Sequence, residues 1–374
     1  MDFGVMFFSS VDPAGTARGG KYELLLKAAR FADANGFCAV WTPERHFHPF
    51  GGLFPNPAVT SAALATITER LQLRAGSLIS PLHSTIRIAE EWAVVDNLSR
   101  GRVGISFGSG WNVNDFVFFP DRYQTRQKVM FEQIDLVKRL WRGETITETN
   151  SAGKPVEIAI YPKPVQRDLP IWVTSSGNIE TFRSAGKAGA NLLTHLIGQD
   201  PSQLAAKVAE YRRAWAEAGH QGRGIISLML HTFMGPRLDA VRAAVYTPFR
   251  EYLRSALSLE QLAAVGGGAI SGGHKITPQD LPPDMVEDLL DVTFERYFDG
   301  GSLMGTVESC EATVNRLTEA GIDEAACLVD FGAGDTDAVL GSLAVVNELR
   351  QAFSREQLQA SADDALKQFA QPLE

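Results

Sequence analysis

Four stretches of this chain gather residues that could do chemistry. Thr42-Pro43-Glu44-Arg45-His46-Phe47-His48 sets a carboxylate, a guanidinium and two imidazoles close together. Charges so concentrated are costly to bury unpaired, so the segment calls for partners or a ligand, unless it is an exposed loop with loosely paired charges. Imidazole is the side chain most easily moved between acid and base near neutral pH, so His46, with Glu44 and Arg45 beside it, is the candidate catalytic group. Thr174-Ser175-Ser176-Gly177-Asn178-Ile179-Glu180-Thr181 places hydroxyls just before a predicted helix. Free N–H groups and the positive helix end favour an anion such as phosphate there; plain capping by Ser176 or Asn178 is the other reading. Gly108-Ser109-Gly110-Trp111-Asn112 leaves room for a planar group against the backbone, with Trp111 able to stack and Asn112 and Asn114 able to hydrogen-bond. A turn that only needs flexible glycines would look the same. Gly76-Ser77 breaks an apolar run, which marks either close approach of a ligand or tight packing.

Other motifs point nowhere. His46 and His48 have no third ligand at suitable spacing, so no metal site is expected. Gly104-Ile105-Ser106-Phe107-Gly108 has the letters of the hydrolase nucleophile motif, but Ser106 falls inside a predicted strand rather than on a sharp strand-to-helix turn. CxxC and HExxH are absent. His83 reads as a polar turn residue. His195 and Asp330, each after an apolar run, either face the same end of the fold as the motifs or pack beneath it.

The elements that must position these groups alternate. Strands are expected over Phe3–Phe8, Cys38–Trp41, Leu71–Ile79, Val103–Phe107, Ile171–Thr174, Asn191–Leu196, Ile225–Phe233 and Ala325–Phe331. Helices are expected over Tyr22–Asn35, Pro57–Arg70, Thr85–Leu98, Arg122–Trp141, Ile179–Lys187, Pro201–Ala218, Leu238–Arg254 and Asp335–Gln351. Short continuous apolar strands between helices read as buried parallel strands. Eight pairs suggest a closed (β/α)8 TIM barrel, whose chemistry sits at the carboxyl ends of the strands. A doubly wound sheet would rather carry a glycine-rich loop after strand one; Ser9-Ser10-Val11-Asp12-Pro13 stands there instead. Insertions are expected after strand four (about 143–169, a β-hairpin) and strand seven (about 257–306, a long connection with a helix-like run around Met285–Phe298). Gly266, Gly267, Gly268, Gly272 and Gly273 would let the second close as a lid. The barrel domain would occupy 1–352 and a peripheral helix or tail 353–374.

A net charge of -9 argues against broad nucleic-acid binding. Cys38, Cys310 and Cys327 sit in or beside apolar segments and are expected to be buried free thiols, consistent with a reducing, cytoplasmic setting. The first residues read as a strand and not a signal peptide, and no apolar run is long enough to cross a bilayer.

From Phe3 to about Gln351 the chain resembles the bacterial luciferase-like flavin monooxygenases. The matching pieces are FGVMFF, AVWTPERHFHPFGGLFPNP, ISPLHSTIRIAEEWAVVDNLSRGRVGISFGSGWNVNDF and PIWVTSSGNIETFRSAGKAGANLLTHLIG. Through WTPERHFH and GSGWNVNDF it is similar to the subgroup associated with nonribosomal peptide and polyketide biosynthesis. The resemblance implies a TIM barrel, non-covalent reduced FMN at its carboxyl face, and a C4a-(hydro)peroxyflavin that oxygenates a natural-product intermediate, free or tethered to a carrier protein. It further implies a separate flavin reductase and a homodimer. Residue by residue, Gly76-Ser77 would hold a non-proline cis peptide beneath the isoalloxazine. Gly108, Ser109, Gly110 and Trp111 would meet the ring, and Ser175, Ser176, Gly177, Asn178 and Thr181 the phosphate. His46 matches the second histidine of the family's Glu-His-His-Phe motif. Two departures stand out. The first histidine of that motif is Arg45, so light emission is not expected, and the phosphate-contacting arginine of luciferase falls at Ser109. Arg45 would then serve the phosphate, the reduced flavin or an acidic substrate arm. F420-dependent hydride transfer on the same fold, a flavin-free barrel lyase or hydrolase, and a non-catalytic barrel subunit are the alternative readings.

Overall fold

The computed structural model describes residues 1–8, 20–196, 201–265 and 282–369, and the side chains of these except at 258–265, 283 and 354–369. Eight parallel strands close into a barrel: β1 (Asp2–Met6), β2 (Ala39–Thr42), β3 (Gln72–Ile79), β4 (Val103–Gly108), β7 (Ile171–Thr174), β8 (Asn191–His195), β9 (Ile226–Met234) and β11 (Glu324–Leu328), which returns to β1. Around it lie α1 (Glu23–Ala34), α2 (Pro57–Ala65), α3 (Thr85–Ser99), α4 (Arg126–Trp141), α5 (Ile179–Lys187), α6 (Pro201–Glu217), α9 (Val307–Glu319) and α10 (Thr336–Phe369). The fold is therefore a (β/α)8 barrel. The insertion after β4 is the expected hairpin, with β5 (Ile146–Thr149) antiparallel to β6 (Pro155–Ile158).

Four expectations need correction. The helix expected to reach Arg70 stops at Ala65, because the Asp33 carboxylate takes the amides of Glu69, Arg70 and Leu71 that a helix would have used. The helix expected from Arg122 begins at Arg126, after a short 3-10 turn over Pro120–Arg122. The helix expected to end at Arg254, α7 (Leu238–Val265), runs on to Val265, and α8 (Pro283–Arg296) follows. Strand β10 (Leu303–Gly305), parallel to β9, and helix α9 were not foreseen. The connection after β9 is thus structured wherever it is described. The glycines expected to form a lid, Gly266 to Gly273, lie outside the described residues, as does Ser9 to Pro13. Cys38, Cys310 and Cys327 are free thiols. Among the described residues no helix is long and apolar enough to cross a membrane.

The barrel interior is packed rather than hollow. Trp41 and Trp172 meet edge to face at 5.4 Å among Met6, Ala39, Leu193, Ala326 and Leu328. Each large apolar side chain so buried stabilises the fold by roughly 1.5–3 kcal/mol. Arg74 lies over both indoles and donates to Glu324 at 2.7 Å. With this floor filled, the chemistry-bearing groups are left at the carboxyl rim.

Candidate active site

Glu44 follows β2 and its side chain is fully enclosed. One oxygen, Oε1, lies 2.8 Å from His46 Nε2 and 2.6 Å from His83 Nε2; the other accepts the Ile79 amide at 2.7 Å. Burial works to raise the Glu44 pKa, but the two imidazoles and the amide outweigh it and hold the carboxyl below its ordinary value. Burial likewise opposes charge on His83, and Glu44 overcomes it, so the His83 pKa is raised. An ionised carboxylate only accepts, so each neutral imidazole donates through Nε2. That assignment leaves Nδ1 of His46 as its proton acceptor.

Beside this group the rim is built from glycine and hydroxyl. The Gly76–Ser77 peptide is cis, as the resemblance implies. The β3–β4 ladder skips Ser77, whose hydroxyl shares a 2.6 Å bond with Thr174 at the end of β7. Thr174 is also bonded to Ser106, a buried strand residue tied into this hydroxyl chain. A side chain at Gly108 would press on Ile79 at 3.1 Å and on Ser77 at 3.3 Å. Gly110 has φ of 77° and would push a side chain into Ile79 and Phe116, so this turn requires glycine.

The turn after β7 leads into α5. Asn178 is the cap, its side chain accepting the Glu180 amide at 2.9 Å, while the amides of Ser176 and Asn178 have no acceptor among the described residues. Ser175 and Thr181 are buried. Capping by Asn178 is therefore present, and two amides at the helix start are left without an acceptor among the described residues. From the start of α4, Gln127 donates to the Thr181 hydroxyl at 3.4 Å, and Arg126 donates to Gly110 O at 2.8 Å. A cation thus stands at the glycine turn, and its neighbour Gln127 reaches the α5 start.

Arg45 is held differently. Its guanidinium lies 5.1 Å from the Phe8 ring and 5.5 Å from the Trp111 ring. Its Nε is enclosed without a partner, and no carboxylate among the described residues ion-pairs with it. Burial lowers its pKa, against the pull of Asp115, Tyr252 and Glu44. Asp115 is buried, bonded to Asn112 at 2.9 Å, and its pKa is pushed up to about 6 by burial, against Arg45 and His46. Aromatic rings finish the rim. Phe118 meets His46 edge-on at 5.0 Å and exposed Phe47 lies 5.5 Å from each, while Phe50 packs on Phe8 and Tyr252. His231 on β9 is buried among Phe249, Tyr252, Tyr297 and Phe331, and burial pushes its pKa down to about 3. His195 is pushed down to about 4 by burial, and Asp330 accepts the Phe8 amide at 2.6 Å.

The structure thus brings Glu44, Arg45, His46, Gly76, Ser77 and Gly108 to Trp111 to one end of the barrel, with Ser175 to Thr181 on the same rim. Sequence reasoning missed Asp115 and Arg126 and gave His83 no role. A hint for His83 was the odd count of partners that a buried Glu44 would need. Among the described residues no cluster of three His, Cys, Asp or Glu side chains could hold a metal ion. Two open cavities, of about 320 and 350 Å3, are lined by none of these candidate residues, one lying beside Met234 and Ser342 and one beside Arg296 and Arg316.

Comparison with known proteins agrees with this fold. The luciferase-like monooxygenase family profile matches residues 1–324. The oxygenase component of the flavin-dependent trigonelline monooxygenase of Acinetobacter baylyi is 22% identical over 356 residues, spanning 90% of this chain and 91% of that protein. Among solved structures, the oxygenating constituent of 3,6-diketocamphane monooxygenase of Pseudomonas putida, in complex with FMN, matches with a TM-score of 0.70 at 18% identity, covering 93% of this chain and 97% of that one. An F420-dependent secondary alcohol dehydrogenase matches with a TM-score of 0.67 at 17% identity, with coverage of 93% and 97%. At such identities the structures speak to the fold alone, whereas the profile spans most of the chain. The chain belongs to the luciferase-like family of flavin-dependent monooxygenases.

Proposed function

We propose that this protein is the oxygenase component of a two-component system that uses reduced FMN and O2 to oxygenate a natural-product intermediate. The observation that carries the reading is a histidine, His46, held by a buried carboxylate on the same rim as a glycine-lined strand end and an open helix start. The site's residues fit a flat, phosphorylated ring. Gly108 and Gly110 make a strand end without side chains on which a ring would lie, and the amides of Ser176 and Asn178, without acceptors among the described residues, would meet the anion. The Thr181 hydroxyl and Arg126 would complete the phosphate site, which answers the absence of an arginine at Ser109. The FMN-bound diketocamphane enzyme supports this choice of cofactor, and the relative described as an oxygenase component supports a separate reductase.

Reduced FMN, when bound, supplies together with O2 the oxygen atom that is transferred. The chain's residues do the rest. Glu44 fixes the His46 tautomer, so that Nδ1 takes or returns a proton at the reacting oxygen. His83, partly exposed, balances the Glu44 charge. Phe8, Phe50, Tyr252 and Phe118 exclude water from the rim. Carrier-protein delivery and a homodimer belong to the same proposal.

The test is anaerobic titration with reduced FMN. Ser176→Ala combined with Thr181→Ala should weaken uptake about tenfold, the loss of roughly one charge-assisted hydrogen bond. Unchanged affinity removes the hydroxyls of Ser176 and Thr181 from the phosphate site. The likeness to an F420-dependent enzyme favours hydride transfer as the second reading. Substrate turnover with F420 and without oxygen consumption would establish it in place of the first.

A further inference from the structure

Arg45 is a cation with no direct ion pair among the described residues, although Asp115 and Glu44 lie near enough to favour its charge. The neighbouring carboxylates are committed elsewhere. Glu44 spends one oxygen on two imidazoles and the other on the Ile79 amide. Asp115 turns to Asn112 and makes no ion pair with Arg45. Asp330 accepts the Phe8 amide. No guanidinium N–H of Arg45 finds an acceptor among the described residues, and Nε is enclosed. A buried cation is costly unless an anion arrives to pair with it.

The position of Arg45 separates it from the cofactor's charged tail. Around the closed barrel the order is β7, β4, β3, β2, β1, β11. The phosphate turn follows β7, and the glycine rim spans β4 and β3. Arg45 comes after β2 and leans on Phe8, which follows β1 and is tied to β11 through Asp330. The cation therefore springs from a strand three places round from the turn after β7, and it lies between Phe8 after β1 and Trp111 after β4. The guanidinium lies 5.1 Å from the Phe8 ring and 5.5 Å from the Trp111 ring, and its N–H groups, which find no acceptor among the described residues, suit a forked, two-oxygen partner. Next to it, His46, Phe118 and Phe47 offer rings to an unsaturated or aromatic skeleton.

From this geometry we infer that the substrate is an organic carboxylate, paired through its two oxygens with Arg45, its planar skeleton laid against the aromatic rim beside His46. The inference rests on the proposed function for the identity of the reaction, and on the geometry alone for the anion. Arg45 then selects acids over their neutral isosteres, because an amide leaves the cation unpaired.

Binding of matched acids and amides tests it: benzoate and benzamide, 4-phenylbutyrate and 4-phenylbutyramide, 2-naphthoate and 2-naphthamide. Each is titrated into the FMN-loaded protein, read by flavin absorbance, and into the cofactor-free protein, read by tryptophan fluorescence. The wild type should bind at least one acid about tenfold more tightly than its amide. Arg45→Gln should abolish the preference while FMN affinity stays within twofold, and Arg45→Lys should keep part of it. No preference for acid anywhere in the series overturns the inference. So does an Arg45→Gln protein that keeps the preference but loses FMN affinity, since the cation then serves the cofactor. If the wild type takes up no FMN, the proposed function fails, and the cofactor-free titration still decides the role of Arg45.

Discussion

Two arginines sit between aromatic rings in this barrel, and only one has its charge met. Arg74, on the floor, lies 4.9 Å and 4.3 Å from the Trp41 and Trp172 rings and pairs with Glu324 at 2.7 Å. Glu324 accepts from Ser227 as well, and Ser227 accepts from the Trp172 indole, so the floor is a closed network. Arg45, on the rim, has the same aromatic setting and no carboxylate. An enclosed Nε without a partner occurs in both, so that feature alone does not mark function; the missing ion pair does. The floor spends its charges on itself, while the rim keeps a cation, an imidazole and free amides available for something that binds.

The comparison breaks most visibly under substitution on the floor. Glu324→Ala strands the Arg74 charge and should cost about 3–5 kcal/mol in urea unfolding, as expected when one partner of a buried pair is removed. Arg45→Met breaks no pair and should change stability by less than about 1 kcal/mol. Equal costs at the two positions would erase the distinction.

Chemistry should fail in the opposite place. Glu44→Gln removes the charge that orients His46 and His83, and product formation should fall about 100-fold, the scale of a lost acid–base contribution. FMN affinity should stay within threefold, and hydrogen peroxide release per reduced flavin should rise. Unaltered coupling between flavin oxidation and product would take His46 out of the mechanism.

The smallest effect concerns Asp115. Folding raises its pKa from 3.8 to about 6, so the native state holds this proton more tightly than the unfolded chain. The stability tied to that proton is fully present below pH 3.8 and is lost as pH rises through 6. Asp115→Asn cannot ionise, so its gain over the wild type, on the order of 1 kcal/mol, should appear above pH 6 and fade toward pH 4. Denaturation midpoints across pH 4–8 measure it; a gain independent of pH would mean that the carboxyl does not titrate there.

Much of this was legible in the sequence because parallel strands buried on both faces read as plain apolar runs, and the chemistry follows where such runs end. Ile171–Thr174 and Ile179–Lys187 have the bounds expected of them. Glu44, Arg45 and His46 announce themselves by adjacency. What stayed hidden depends on distance along the chain. His83 meets Glu44 across 39 residues, and the Asp33 amide clamp that ends α2 spans 36 to 38. Arg126 gains its meaning only when the start of α4 is brought to Gly110. Strand β10 is too short to carry a pattern, although the Thr306–Ser309 capping pair that opens α9 was readable. No periodicity tells that Arg45 lacks a counter-ion, because that fact belongs to the whole rim.

The central claim is tested most directly by a crystal structure of the protein loaded with reduced FMN under anaerobic conditions. The account predicts the isoalloxazine over the Gly76–Ser77 peptide and Gly108, with the phosphate at the amides of Ser176 and Asn178. A ligand seated elsewhere, or a rim closed by its own side chains after soaking, would contradict it.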